Sequence, residues 1–318
     1  MVKFPLLFGA LVAAIAPGMA LADWPERPVS IIVPAGAGGG TDSTARMLAE
    51  RLQARFGVPF NVVNQGQGGG VVGITSIKEA EADGYTIGVI YNFGHYKPMG
   101  QADFNVDDFT PIAQYNFDPA GFHVSADNDW GSITEALDAI KAAPADYSIS
   151  CGGGCGGSWP IALATLLNAW DVDMTQVRMI AGQGAAGALQ DMVAGGFDVV
   201  PSSVPEAGPL IDAGRVKGLA VFGAERLAAF PDIPTLKEET GLDNALGAWR
   251  GVVAPAGLDA DIAAQLEAAM QEIVADDSWR EQMTGRGFGI EWKPAADFEA
   301  FMRGEEDSVR EIVGILGL

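Results

Sequence analysis

Val29-Ser30-Ile31-Ile32-Val33, continuing through Pro34-Ala35-Gly36-Ala37-Gly38-Gly39-Gly40 into Thr41-Asp42, is the stretch that decides the fold. A run of β-branched residues reads as a buried strand and the glycines as a turn. The segment 41–56 then places Ala45, Leu48, Ala49, Leu52 and Phe56 on one face of a helix. The same order returns at once, with a strand over 61–63, a glycine turn at 66–70, a helix over 71–82 and a strand over 85–91. Strands alternating with helices imply an α/β chain with a parallel sheet and crossover helices. On such sheets ligands sit beyond the C-terminal ends of the strands.

The alternation restarts after 122–125. A helix over 132–143, a strand over 147–151, a loop at 152–158 and a helix from Trp159 lead to further elements at 177–181, 186–194, 197–200, 204–213 and 217–222. These make a second α/β lobe over 123–245. Beyond it, 248–254 reads as a strand, and 259–275 as a helix with Ile262, Leu266, Ala269 and Ile273 at helical spacing. No fixed-period repeat or low-complexity tract interrupts the chain.

The chain opens with Lys3, an apolar run over 6–16 and Ala20-Leu21-Ala22, the pattern of a secretory signal peptide cleaved near Ala22. The apolar run is short for a membrane span, which needs about 20 residues. Its removal takes away one lysine and no acid, so 41 acidic residues face 18 basic ones and the formal charge becomes −23. Nucleic acid and anionic lipid are thereby disfavoured as partners, because phosphate recognition needs clustered Lys and Arg. A chain of this length, 48% hydrophobic, can bury more than one core.

Three segments share one design, a strand end, several glycines and a polar residue opening a helix. They are 34–42, with Gly39, Gly40, Thr41 and Asp42; 151–158, with Gly156, Gly157 and Ser158; and 182–187, with Gly184 and Ala185. Glycine lets backbone N–H groups approach a ligand, and a helix N-terminus presents unpaired donors with partial positive charge. Each segment is a candidate anion cradle, or else a tight turn with a helix cap. Nucleotide motifs fail: the first loop lacks the last glycine of G-x-G-x-x-G, and no G-K-S or G-K-T completes a P-loop, so no cofactor is expected. A hydrogen bond to a charged group contributes about 1.5–3 kcal/mol net. Distant carboxylates are screened beyond about 8 Å, so local donors outweigh the net charge.

Cys151 and Cys155 are the whole cysteine complement. In an exported protein a disulfide between them is the preferred reading, and it would stiffen the second loop. A metal site would need His95 and His123 to converge on them. A hydrolase is the competing class, but no G-x-S-x-G elbow is present and either histidine would have to serve as base. The chain is therefore read as a binding protein with no catalytic residues. Arg250 could pair a carboxylate with two hydrogen bonds. As a type more often found in surface ion pairs, it is left outside the expected site.

Taken together, several ordered segments resemble the solute receptors of the tripartite tricarboxylate transporters, the Bug receptors. They are Trp24-Pro25-Glu26-Arg27-Pro28-Val29, Gly39-Gly40-Thr41-Asp42, Asp83-Gly84-Tyr85-Thr86-Ile87, Asp108-Phe109-Thr110-Pro111-Ile112, Gly195-Gly196-Phe197-Asp198-Val199, Ala213-Gly214-Arg215-Val216-Lys217-Gly218, Phe230-Pro231-Asp232-Ile233-Pro234-Thr235-Leu236 and Trp249-Arg250-Gly251. The resemblance implies a two-lobed type II periplasmic-binding-protein fold, with two crossing strands as hinge, near 122–125 and 248–253. It implies lobe 1 over 23–121 plus 246–318 and lobe 2 over 122–245. It further implies a monomeric periplasmic protein that holds a small organic carboxylate and delivers it to integral membrane transporter subunits. A ligand-reporting subunit for a membrane sensor would use the same chemistry.

By position, the implied ligand residues are Gly39, Gly40, Thr41, Asp42, Gly156, Gly157 and Ser158, with Asn92, Gly184, Ala185, Ser202 and Ser203 beside them. Two departures bear on the substrate. The segment 91–98 is shorter and more aromatic than the family's usual version, so Phe93 and Tyr96 either read a larger ligand or pack into the lobe. Trp159-Pro160 stands where a histidine-containing sequence is common.

Overall fold

The computed structural model describes residues 24–152, 155–181, 184–242 and 247–316. The expected signal segment lies outside them. In the first lobe, β1 (Val29–Val33) is followed by α1 (Gly40–Phe56), β2 (Phe60–Asn64), α2 (Val71–Lys78) and β3 (Thr86–Ile90). β1 pairs in parallel with β2 on one side and β3 on the other. Its apolar run follows from that central place, for every residue but Ser30 is buried. Ala45, Leu48, Ala49 and Leu52 form the buried stripe of α1 against the same core as Ile31 and Val33.

β4 (Phe109–Ser125) is a single strand of 17 residues that runs through both lobes. From Phe109 to Pro119 it pairs antiparallel with a returning strand of the first lobe, and from Ala120 to Ser125 it pairs with two strands of the second. The change of partners thus falls at Pro119–Ala120, just before 122–125. The second lobe holds α3 (Ile133–Ala142), β5 (Ser148–Ser150), α4 (Ser158–Ala169), β6 (Arg178–Ile180), α5 (Gly184–Val193), β7 (Val200–Ser203), α6 (Val204–Asp212), β8 (Val216–Val221) and α7 (Leu236–Thr240). β7 and β8 flank β4, and β5 pairs in parallel with β6. β7 starts where the strand expected over 197–200 would end, so Ser202 and Ser203 belong to a strand paired with β4 rather than to a loop.

The chain returns through β9 (Gly247–Pro255), which lies antiparallel between β3 and β4. It ends with α8 (Ala260–Ala275), α9 (Asp277–Thr284), the short β10 (Lys293–Pro294) and α10 (Ala295–Leu316). α10 ties the lobes together. Phe298 and Met302 pack with Ile74, Phe93 and Trp249 of the first lobe, while Ile312 packs with Leu163 and Leu166 of the second. Each fully buried apolar side chain of this size contributes about 1.5–3 kcal/mol. The two lobes are therefore joined by two strands and by one helix laid over both.

Candidate ligand-binding cleft

Residues 34–39 carry the chain from β1 into α1. Gly39 is the N-cap and has no side chain to offer, so the opening amides of α1 have no side-chain cap. Thr41 is buried, and its Oγ1 accepts a hydrogen bond from Arg250 Nε at 3.1 Å. Asp42 turns inward, 3% exposed. Its carboxylate accepts from Gly38 N at 2.8 Å, Asn64 Nδ2 at 2.9 Å and Arg46 Nε at 3.1 Å. Burial pushes that carboxyl up, but the bonds from Arg46, Gly38 and Asn64 outweigh it and hold the group below its ordinary value. Asp42 thus stays charged and braces the loop.

In the second lobe the loop before α4 is closed by the Cys151–Cys155 disulfide, with Cα atoms 4.6 Å apart. Gly157 is an extended N-cap without a side-chain hydrogen bond, leaving the first amides of α4 in the same condition as those of α1. Pro160 sits in the first turn, where its missing N–H costs no helical bond. Trp159 packs against the lobe 2 core. The loop docks on the first lobe through two polar contacts: Ser158 Oγ donates to Asn92 Oδ1, and His95 Nδ1 bonds Gly156 O. A Cβ on Gly156 would lie 2.7 Å from Met99 Cε, so a larger residue there would have to displace the Met99 side chain.

Asn92 holds a left-handed backbone, φ 49° and ψ 32°, which asparagine tolerates better than most residues. Its neighbour Tyr91 donates from its hydroxyl to Pro34 O at 3.2 Å. The loop before α1 is therefore bonded to Tyr91, and the start of α4 to the adjacent Asn92. Of the two readings of 91–98, the structure has packing. Phe93 and Tyr96 are 2% and 3% exposed and stack edge-on against Phe109 and Phe104.

The remaining expected residues divide. Gly184 and Ala185 open α5 beside the second loop, for a Cβ on Gly152 would lie 3.8 Å from Ala185 N. Ser202 is fully buried, its Oγ donating to Ser203 O at 3.1 Å and lying 3.4 Å from His123 Nδ1. Ser203 caps α6, and its N and Oγ both donate to Glu206 Oε2. Glu206 is exposed, yet burial among protein atoms pushes its carboxyl up, against the Ser203 bonds and the Arg250 charge.

Arg250 is the residue that the sequence reading placed wrongly. It is 7% exposed, not on the surface. It projects from β9 onto the face shared with Asn116 and Asp118 of β4, and its Nη1 donates to Asn116 Oδ1 and Asp118 Oδ2. Asp118 Oδ1 accepts in addition from Asn116 Nδ2 at 2.9 Å and Gly289 N at 2.8 Å. Burial opposes the guanidinium charge, but Asp118 overrides it and Arg250 stays protonated. A partial signal was present in the sequence: Asn116 and Asp118, two residues apart beyond a bulge in β4, place two polar side chains on one face of the strand.

On the opposite face of the same two strands, a cavity of about 610 Å³ lies between α4 and α10. Ser158, His95, Thr165, Asn168, Trp249 and Glu305 are among its lining residues. Glu305 accepts from Gly94 N at 2.8 Å and Trp249 Nε1 at 2.5 Å, and burial pushes its carboxyl up. Among the described residues no three His, Cys, Asp or Glu side chains converge as a metal site.

The profile of the tripartite tricarboxylate transporter family receptor matches residues 44–318. The chain belongs to that receptor family. Among relatives of these receptors, a UPF0065 protein from the tcbD-tcbE intergenic region of Pseudomonas sp. strain P51 is 30% identical over 259 residues, covering 79% of this chain and 75% of the relative. BugT of Bordetella pertussis is 26% identical over 280 residues, covering 86% and 85%. Among solved structures, a TctC solute-binding protein from Polaromonas superposes with a TM-score of 0.77 at 29% identity, covering 92% of this chain and 99% of that one. MatC of Rhodopseudomonas palustris, solved with bound malate, superposes at 0.76 with 25% identity, covering 91% and 100%. The two-lobed fold seen here is thus that of the receptor family. Among the described residues no helix is long and apolar enough to cross a membrane.

Proposed function

We propose that this receptor works in the periplasm, captures a small organic carboxylate between its lobes and delivers it to integral membrane subunits of a tripartite tricarboxylate-type transporter. One observation carries the reading. Two helix N-termini without side-chain caps, α1 from lobe 1 and α4 from lobe 2, are tethered to adjacent residues, the loop before α1 to Tyr91 and the start of α4 to Asn92. An anion between them receives donors from both lobes, each terminus contributing about 0.3–1 kcal/mol and up to ~2 when partly buried. Binding of malate by MatC, a receptor of the same fold, favours a carboxylate.

The amides near Gly39, Gly40 and Thr41 and those near Gly156, Gly157 and Ser158 are the proposed donors, with Asn92, Gly184 and Ala185 at the rim. Asp42, Ser202 and Ser203 act as supports, their polar atoms being engaged with protein. Lobe 1 takes 23–121 with 246–318 and lobe 2 takes 122–245, so closure turns on β4 and β9. The chain is exported as a monomer by a signal peptide cleaved near Ala22.

Thermal unfolding against mono-, di- and tricarboxylates, aromatic acids and acidic amino acids tests this. A ligand at 100 times its Kd adds about 2.7 kcal/mol to stability. A saturable upward shift with one carboxylate class is expected. No shift with any carboxylate, once co-purified ligand has been removed, rejects carboxylate capture.

A further inference from the structure

We propose that Arg250 contacts the ligand directly: a carboxylate seated on the first amides of α1 also accepts a hydrogen bond from Arg250 Nη2. The inference rests on the carboxylate reading above and names the side chain that would select for charge. Arg250 is more than nine-tenths buried, and its other nitrogens are engaged, Nε with Thr41 Oγ1 and Nη1 with Asn116 and Asp118. Nη2 has no acceptor among the described residues. It faces Gly40, where a Cβ would lie 2.6 Å from Nη2. Residue 40 must therefore be glycine for the clamped guanidinium to lie this close, and the approach brings Nη2 to the uncapped start of α1. The ring of Phe288, 5.8 Å from the guanidinium carbon, flanks the group on another side.

The arrangement supplies what backbone amides alone lack. Amides accept any oxygen, whereas a guanidinium held in a fixed fork favours an anionic, planar acceptor. Asp118 does two things at once. It holds the fork in place, and its negative charge offsets part of the attraction for an incoming anion. An asparagine in its place keeps an acceptor for Nη1, so removing the charge leaves the fork held and lifts the offset.

The test is calorimetric titration of the mature chain with benzoate, malate and citrate, comparing wild type, Arg250→Lys and Asp118→Asn. Arg250→Lys keeps a cation for Asp118 but loses the Nη2 donor, and affinity for the bound carboxylate should fall tenfold or more while the unfolding temperature of the unliganded protein falls by a few degrees. Asp118→Asn keeps Arg250 and removes the competing charge, and binding should tighten. If Asp118→Asn weakens binding as much as Arg250→Lys, Arg250 acts only as scaffold and the inference is overturned. Unchanged affinity in Arg250→Lys overturns it as well, with the carboxylate reading intact. A wild-type chain that binds none of the three acids, nor any other carboxylate of the thermal-shift panel, overturns that reading and this inference together. Should Arg250→Lys fail to fold, Asp118→Asn alone decides by the sign of its effect.

Discussion

Ser158, the first residue of α4, donates its hydroxyl hydrogen to Oδ1 of Asn92, which follows β3 in a left-handed turn. A residue of the second lobe is thereby bonded to a residue of the first, next to Tyr91, which bonds the loop before α1. On the proposed hinge, the contact couples lobe closure to the geometry of the loop before α4.

Replacing Asn92 by glycine separates the contact from the backbone. Glycine accepts the positive φ without strain, so the unfolding temperature should move by no more than a few degrees. One net hydrogen bond of about 0.5–1.5 kcal/mol is lost, so ligand affinity should fall about 2–10-fold. Solution scattering should show a more open unliganded form. Unchanged affinity and scattering would mean that the bond has no part in closure.

The Cys151–Cys155 bridge closes a loop with a sequence separation of 4. For so short a loop the chain-entropy argument gives about 2 kcal/mol. Replacing both cysteines by serine should lower stability by about that amount. It should also weaken ligand binding several-fold, because the loop before α4 must then be ordered at the moment of binding. Titration of the double variant beside wild type, with and without reductant, measures both effects, and reductant should move only the wild type.

His123 is fully buried in the second lobe, with Nδ1 against Val200 O at 3.1 Å and no partner for Nε2. Burial pushes its pKa down to about 4. Below the ordinary value of 6.5 the unfolded chain takes up a proton that the folded chain refuses. Its contribution to stability is therefore complete above pH 6.5 and is lost as pH falls towards 4. Denaturant unfolding should show wild type losing about 2 kcal/mol more than His123→Gln between pH 7 and pH 5. Parallel losses in both proteins would assign the acid sensitivity elsewhere.

The first lobe was legible because its strands and helices keep their periods and its turns are marked by glycine. β4 was not, beyond its last residues. Pro111, Pro119 and the polar residues Gln114, Asn116 and Asp118 break its apolar run, yet all three polar side chains are buried. What makes burial of Asp118 tolerable is Arg250, 132 residues further along the chain. No local pattern reveals a counter-charge at that separation, and for the same reason Arg250 read as a surface residue. The glycine loops could be picked out by composition, but which hydroxyls are engaged with protein could not. Ser202 faces inward because β7 extends to Ser203 to stay paired with β4. The bridging role of α10 depends on packing against two cores, which spacing within one helix does not encode.

The most direct measurement is a crystal structure of the chain with the carboxylate selected by the thermal-shift panel. The account predicts one carboxylate group between the N-termini of α1 and α4, within hydrogen-bond reach of the amides at Gly40 and Thr41 and of Ser158, with Arg250 Nη2 on its near oxygen. Ligand density confined to the cavity between α4 and α10, with the space in front of Gly40 empty, would contradict it.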